Sequence, residues 1–363
     1  MNNAEPVYLF RHALLRDAAY QLQLPGDRAR LHGLAFAVIE EACGGRPPLP
    51  APLDCAQDSA FQSHPTDPFA VDLSEHARLA GHLLSTGGDA LLAARRCYVR
   101  RAAEHAGRHF QNELSAELWL RHAPLAGGVE KGESVRRAAL AAYRAGRSGQ
   151  AADLLERAVA LQRRGGHRRA EGVALGNLAA VCKETGRIGR AERRYGRALS
   201  ILRRAGDWGS VAGALGNLAN LYRTTGRGGP AERSFKQALA ICRRIGRRRD
   251  EAIALGNFAI FSKELGRTEQ AERSYERAMA IFRNLGDLRE EGVVLGNLAQ
   301  LYLETGRVEL SERVFGRVLA LLRRLGDRRA EGITLGNLAG LCLETARTVR
   351  AEEIYGRALA AHR

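Results

Sequence analysis

Along the second half of the chain, apolar residues fall on two alternating helical stripes. Val173, Leu175, Leu178, Ala179 and Cys182 follow the three-and-four spacing of one helix face, and Gly186 then stands where a left-handed C-cap closes a helix. A second stripe follows with Ala191, Tyr195, Ala198, Leu199 and Leu202. Arg203-Arg204 suit the negative end of its dipole, and Gly206-Asp207 supply a stop and the next helix start. The pattern then recurs at a constant step of 40, in Leu175-Gly176-Asn177, Leu215-Gly216-Asn217, Leu255-Gly256-Asn257, Leu295-Gly296-Asn297 and Leu335-Gly336-Asn337. Gly186, Gly226, Gly266 and Gly306 keep that register, as do Glu192, Glu232, Glu272, Glu312 and Glu352. So does an aromatic series, Tyr195, Phe235, Tyr275, Phe315 and Tyr355. A fixed step of this length marks a solenoid whose core grows by stacking. No alternating strand pattern interrupts it, so the fold expected is all-α.

Upstream the signal loosens. A degenerate earlier copy begins near Gly128, because Tyr143, Gly146-Arg147, Ala152 and Ala158-Val159 precede Lys183, Gly186-Arg187, Glu192 and Ala198-Leu199 by the same step. The domain reading therefore assigns six repeats to 127–363. Residues 73–126 read as divergent helical repeats, with Leu79, Leu83 and Leu84, the turn Gly87-Gly88-Asp89, then Ala93, Tyr98, Ala102 and Ala103. Residues 44–72 carry Pro47, Pro48, Pro50, Pro52, Pro65 and Pro68 and read as a linker, since proline cannot continue a helix. Residues 1–43 form a separate helical piece.

Alanines at 179, 191 and 198 let two helices approach closely while Tyr195 fills the gap to the next pair. This arrangement resembles the tetratricopeptide repeat. Its forty-residue form is similar to the repeats of kinesin light chains, of spindle-orientation scaffold proteins that also carry Leu-Gly-Asn, and of many bacterial regulators. The resemblance implies a right-handed superhelical solenoid of antiparallel helix pairs that acts as a non-catalytic protein- or peptide-binding scaffold. Near the start, Phe10-Arg11-His12-Ala13-Leu14-Leu15-Arg16-Asp17-Ala18-Ala19-Tyr20, then Leu24-Pro25 and Arg30-Leu31-His32, resemble the junction joining an ATPase to such repeats in bacterial signal-transducing ATPases. No Gly-x-x-x-x-Gly-Lys-Ser/Thr loop occurs, so this chain lacks that nucleotide cradle. The expectation is the sensor or partner-binding arm of a signalling or transcriptional regulator, with an ATPase or cyclase encoded separately.

The candidate site is a row of amides. Asn177, Asn217, Asn257, Asn297 and Asn337 lie two residues after the core-facing leucine of each first helix. The resemblance places that position on the concave groove, where asparagines hold bound peptides in kinesin light chains. An amide donates and accepts at once, so such a row suits a ligand backbone. Asn220 and Gln300 join the candidate set, and the adjacent glycines allow close approach. A second reading stays open, in which each Asn bonds to the neighbouring repeat and sets the stacking angle. Beyond the row sit Lys183, Arg223 and Lys263, then Leu303 and Leu343. This change from basic to apolar favours an acidic segment or one with a free C-terminal carboxylate, with an apolar anchor farther on; a solvated helix end is the alternative.

Composition narrows the remaining choices. The formal charge is +16, nearly all from arginine, since only Lys131, Lys183, Lys236 and Lys263 are lysines. A basic nucleic-acid-binding repeat protein is the alternative function, weakened by aromatic content of 6% and by the packing role of the register aromatics. Arg187, Arg227, Arg267, Arg307 and Arg347 follow a helix end, where carbonyls and the dipole account for them. Glu290-Glu291 sit at a helix start for the same reason. Six scattered cysteines (Cys43, Cys55, Cys97, Cys182, Cys242, Cys342) fit neither a disulfide framework nor zinc. His105 and His109 share a helix face but have no third metal ligand, and no catalytic constellation or cofactor motif accompanies them. No apolar run approaches the roughly 20 residues that span a bilayer and no secretory signal is present, so a cytoplasmic location is expected. At the C-terminal end, Ile354, Tyr355 and Leu359 would form an open face suited to self-association.

Overall fold

The computed structural model describes residues 20–53, 61–81 and 88–362. Phe10 to Ala19, Cys55, Leu83, Leu84 and Gly87 lie outside them. The described residues contain helices and turns but no strand. The chain divides into two compact units, residues 1–194 and 195–363.

The first unit begins with α1 (Pro25–Ala42), α2 (Ala70–Gly81), α3 (Gly88–Arg108) and α4 (Asn112–His122). It continues with α5 (Gly128–Arg144), α6 (Ser148–Arg164) and α7 (Arg168–Glu184). Each packs on its neighbour in the chain. Helix α1 is tied in by side chains: the Tyr98 hydroxyl donates to Glu40 Oε1 at 2.7 Å, and Phe36 meets the edge of the Tyr98 ring. The proline-rich stretch read as a linker is also fastened down. Arg100 donates to the Ala51 carbonyl at 2.6 Å, and Arg101, buried with Asp67, donates to Asp67 Oδ1 at 2.6 Å and to the Gln62 carbonyl at 2.9 Å. Helical structure resumes with a short 3₁₀ turn at Asp67–Phe69, ahead of the expected residue 73.

Helix α8 (Ile188–Arg204) contains the division point. The second unit then holds α9 (Trp208–Thr224), α10 (Gly228–Arg244), α11 (Arg248–Glu264) and α12 (Thr268–Leu285). After these come α13 (Leu288–Glu304), α14 (Val308–Leu325), α15 (Arg328–Glu344) and α16 (Thr348–His362). Its core is built from the register positions. Ala219, Ala231, Ala259 and Ala271 are wholly buried, so helix backbones meet with only methyl groups between them, and Phe235 and Phe315 are equally enclosed. Ser311 replaces an alanine in that register and satisfies its hydroxyl on the Ala299 carbonyl at 2.8 Å.

From α5 onward each helix pair turns through the same closure. At Gly186 (φ +72°) the amide donates to the Lys183 carbonyl and Arg187 N–H donates to the Cys182 carbonyl, the paired bonds of a Schellman stop. Gly226, Gly266 and Gly306 repeat that left-handed conformation at φ +70° to +72°. The last copy adopts it with Ala346 at φ +57°, keeping both bonds. A Cβ there crowds the following carbonyl, at a cost of roughly 1–2 kcal/mol. Replacing Ala346→Gly is therefore expected to raise stability by about 1 kcal/mol in equilibrium urea unfolding, whereas Gly306→Ala should lower it by a similar amount. Equal midpoints for Ala346→Gly and the parent would contradict this account.

Candidate functional site

The five amides sit on the first helix of each pair: Asn177 on α7 in the first unit, and Asn217, Asn257, Asn297 and Asn337 on α9, α11, α13 and α15 in the second. Asn217 and Asn337 are exposed and the other three half-buried. Among the described residues no side-chain hydrogen bond engages any of the five, so none is tied by one to a neighbouring repeat.

The structure adds a row that sequence reasoning missed. One helical turn before three of the amides stand Ile253, Val293 and Ile333, exposed at 37%, 56% and 54%. An i, i+4 spacing puts each on the face of its amide. The second unit thus carries amide and β-branched side chains in alternation, repeated at the forty-residue step. The signal was present in the sequence, but apolar residues at helical spacing were credited to the core.

The basic positions look different once their partners are seen. Lys183 Nζ lies 3.1 Å from Glu184, and Lys263 Nζ lies 2.9 Å from Glu304. Arg223 pairs with Glu264, and its Nε also donates to Asn220 Oδ1 at 3.4 Å. Gln300 donates to Glu304 Oε1 at 3.2 Å. The expected excess of positive charge is therefore largely cancelled along this rail. An acidic ligand would have to displace Glu264 and Glu304, which lowers the Coulombic gain expected from charge alone. Beyond them Leu303 is half-buried and Leu343 exposed.

The arginines that follow the turns do more than face a helix dipole. Arg267 donates to Glu232 at 3.0 Å, Arg307 donates to Glu272 at 2.8 Å, and Arg347 lies 2.8 Å from Glu312. Each of these three pairs joins one repeat to the next, which accounts for Arg267, Arg307 and Arg347 and for Glu232, Glu272 and Glu312 in the two register series. His109 Nδ1 bonds to the His105 carbonyl at 2.9 Å, and no group of three or more metal-ligating side chains occurs among the described residues. Cys97, Cys182, Cys242 and Cys342 are buried and free, and no described helix is long and apolar enough to cross a membrane.

A tetratricopeptide repeat family model matches residues 133–204, 210–284 and 290–363. No curated protein matches the chain. Among solved structures, BtubC (BKLC) from P. vanneervenii is 22% identical with a TM-score of 0.51, over 61% of this chain and 91% of that one. A Rap protein complexed with Competence and Sporulation Factor is 12% identical with a TM-score of 0.53, over 92% of this chain and 98% of that one. A signal transduction ATPase with numerous domains and a tetratricopeptide repeat sensor, from Pyrococcus horikoshii, is 13% identical with a TM-score of 0.57. There the match covers 98% of this chain and 61% of the other. At these identities the likeness is one of fold.

Amides that bond to nothing within the protein should be structurally dispensable. Asn257→Ala and Asn297→Ala are each expected to change the unfolding free energy by less than about 0.5 kcal/mol, as surface substitutions do. A loss above about 1 kcal/mol in urea unfolding would assign these residues to repeat stacking instead.

Proposed function

The chain belongs to the tetratricopeptide repeat family, and from that premise we propose that it is a non-catalytic scaffold that binds a segment of another polypeptide. The observation that carries this reading is the row of internally unbonded amides, in register, beside Ile253, Val293 and Ile333. A bound strand would use its backbone N–H and C=O groups on the amides and set alternate apolar side chains against the β-branched row. A free carboxylate end of the ligand would suit Arg223 and Lys263 only by competing with their glutamate partners, so the ligand proposed is apolar first and acidic second.

At a finer level we read the chain as the sensor or partner-binding arm of a cytoplasmic bacterial regulator. It would work with a separately encoded ATPase or cyclase. The fold it shares with the Pyrococcus horikoshii ATPase and its repeat sensor, and with the Rap protein bound to Competence and Sporulation Factor, supports that reading.

The test replaces Asn217, Asn257 and Asn297 together by Ala, in affinity capture from the source cell with mass spectrometry, followed by titration of the captured partner. The variant is expected to keep its helicity and lose the partner by at least tenfold in affinity. Equal capture would refute the groove. Retention of nucleic acid that falls steeply with salt and follows arginine loss rather than Asn loss would favour the alternative reading.

A second contact is proposed between copies of the chain. Tyr355 is 40% and Leu359 67% exposed, whereas Phe315 and Leu319, one repeat earlier, are 0% and 6% exposed; Ile354 is buried within its own pair. Apolar surface of that kind favours self-association. Light scattering over a concentration series is expected to show a dimer that Leu359→Lys abolishes. A monomer at every concentration in the parent chain would end this proposal.

A further inference from the structure

In the first unit, away from the amide row, lies a cavity of about 750 Å³ walled by α3, α4, α5 and the proline strap at 48–53. That is the size of a small-molecule site. Six guanidinium groups line it: Arg100, Arg101, Arg108, Arg136, Arg137 and Arg144. Glu104 is the single carboxylate in the wall among the described residues.

Some of that charge is already answered. Arg101 is held by Asp67, and Arg136 donates to Glu133 at 2.9 Å. Arg100 and Arg137 must share Glu104, at 3.1 Å and 3.9 Å. Arg108 stacks over the Phe61 ring at 4.7 Å and, like Arg144, has no carboxylate partner among the described residues.

Arg137 is the least satisfied member. Its guanidinium lies 5.2 Å from the Trp119 ring centroid, and its Nε is buried without any hydrogen-bond partner. Burial, and then the neighbouring Arg136, push its pKa below the usual arginine value. Arginine does not escape such a site by losing its proton, so the site favours an arriving hydrogen-bond acceptor, and an anion above all. The excess charge lies on two helices, α3 and α5, around one space, which suits several oxygens on one compact ligand rather than a single ion. Guanidinium forks match phosphate oxygens in pairs.

We propose that this cavity binds a small molecule carrying two or more phosphate groups, with Arg137, Arg108 and Arg144 as its principal contacts. This site is separate from the amide row and does not depend on the polypeptide-binding reading.

Trp119 provides the readout, since the only other tryptophan, Trp208, can be replaced by Phe. In that background, fluorescence is followed while tripolyphosphate, pyrophosphate, citrate or sulfate is added at constant ionic strength. Saturable one-to-one binding is expected for the two polyphosphates, at least tenfold tighter than for sulfate, with citrate between them. Arg137→Gln should weaken it by at least tenfold, and so should the double change Arg108→Gln with Arg144→Gln, which touches two exposed residues and spares the fold. Changing Arg243→Gln with Arg244→Gln, in the second unit, should leave affinity unchanged. The proposal falls if binding does not saturate, if citrate equals tripolyphosphate, or if the control pair weakens binding as much as the cavity pair.

Discussion

A large ring buried between one helix pair and the next is the contact on which the second unit depends. Phe235 on α10 is fully enclosed, with the rings of Phe258 and Phe261 on α11 at 6.0 Å and 5.7 Å. Within a pair the closest contacts are alanine on alanine, which permit approach but bury little area per residue. The aromatic therefore supplies much of the driving force for stacking, about 1.5–3 kcal/mol for a side chain of that size. A pair isolated from its neighbour would leave that ring in water. Tyr355, over which no further described helix packs, stands 40% exposed where Tyr275 is 1% exposed. The forty-residue period follows from this arrangement, because each unit is incomplete until the next covers its ring.

Electrostatics then decorates the same frame. Arg163, Arg243, Arg283 and Arg323 each donate to the glutamate eight residues on, Glu171, Glu251, Glu291 and Glu331, at 2.7–3.0 Å. Burial tends to raise the Glu251 carboxyl, yet hydrogen bonds from Arg243 and Arg248 outweigh it and hold the pKa below the usual value. The corresponding residue in one repeat is Val211, wholly buried. What the position requires is enclosure, and charge is one way to meet it. The arginine partners of Glu251 are 43% and 66% exposed on their side chains, so the pairs contribute modestly against solvent. Many of the chain's arginines sit in such repeated pairs and add nothing to the net charge of +16, so arginine content alone makes a weak argument for nucleic acid.

The period, the alanine contacts, the ring and the glycine stops were legible in the sequence because each is a local rule read at a fixed step. Interactions that close in space were not. Arg267, Arg307 and Arg347 reach glutamates 35 residues back, and nothing local distinguishes that from a helix-end role. Lys263 and Glu304 meet across 41 residues, so the rail looked basic when only one partner was in view. The proline strap looked free for the same reason, since Arg100 and Arg101 grip it from 39 to 49 residues away. Conversely, Ile253, Val293 and Ile333 were visible as apolar residues at helical spacing, and only their exposure sets them apart from the core.

Arginine consequently has two meanings in this chain, and composition alone does not separate them. In the second unit the repeat supplies a carboxylate for many of its cations, since the sequence that places Arg also places Glu at a matching offset. The cavity of the first unit lies where the repeat is degenerate and that matching has lapsed: Arg100 and Arg137 converge on one Glu104, while Arg108 and Arg144 have none among the described residues. A charge left over by an irregular packing is costly when it is desolvated, and the buried Nε of Arg137 carries that cost. Regular repeats give a surface whose affinity must come from amides and apolar side chains. The irregular part gives a concentrated field, and the two parts are therefore suited to ligands of different chemistry.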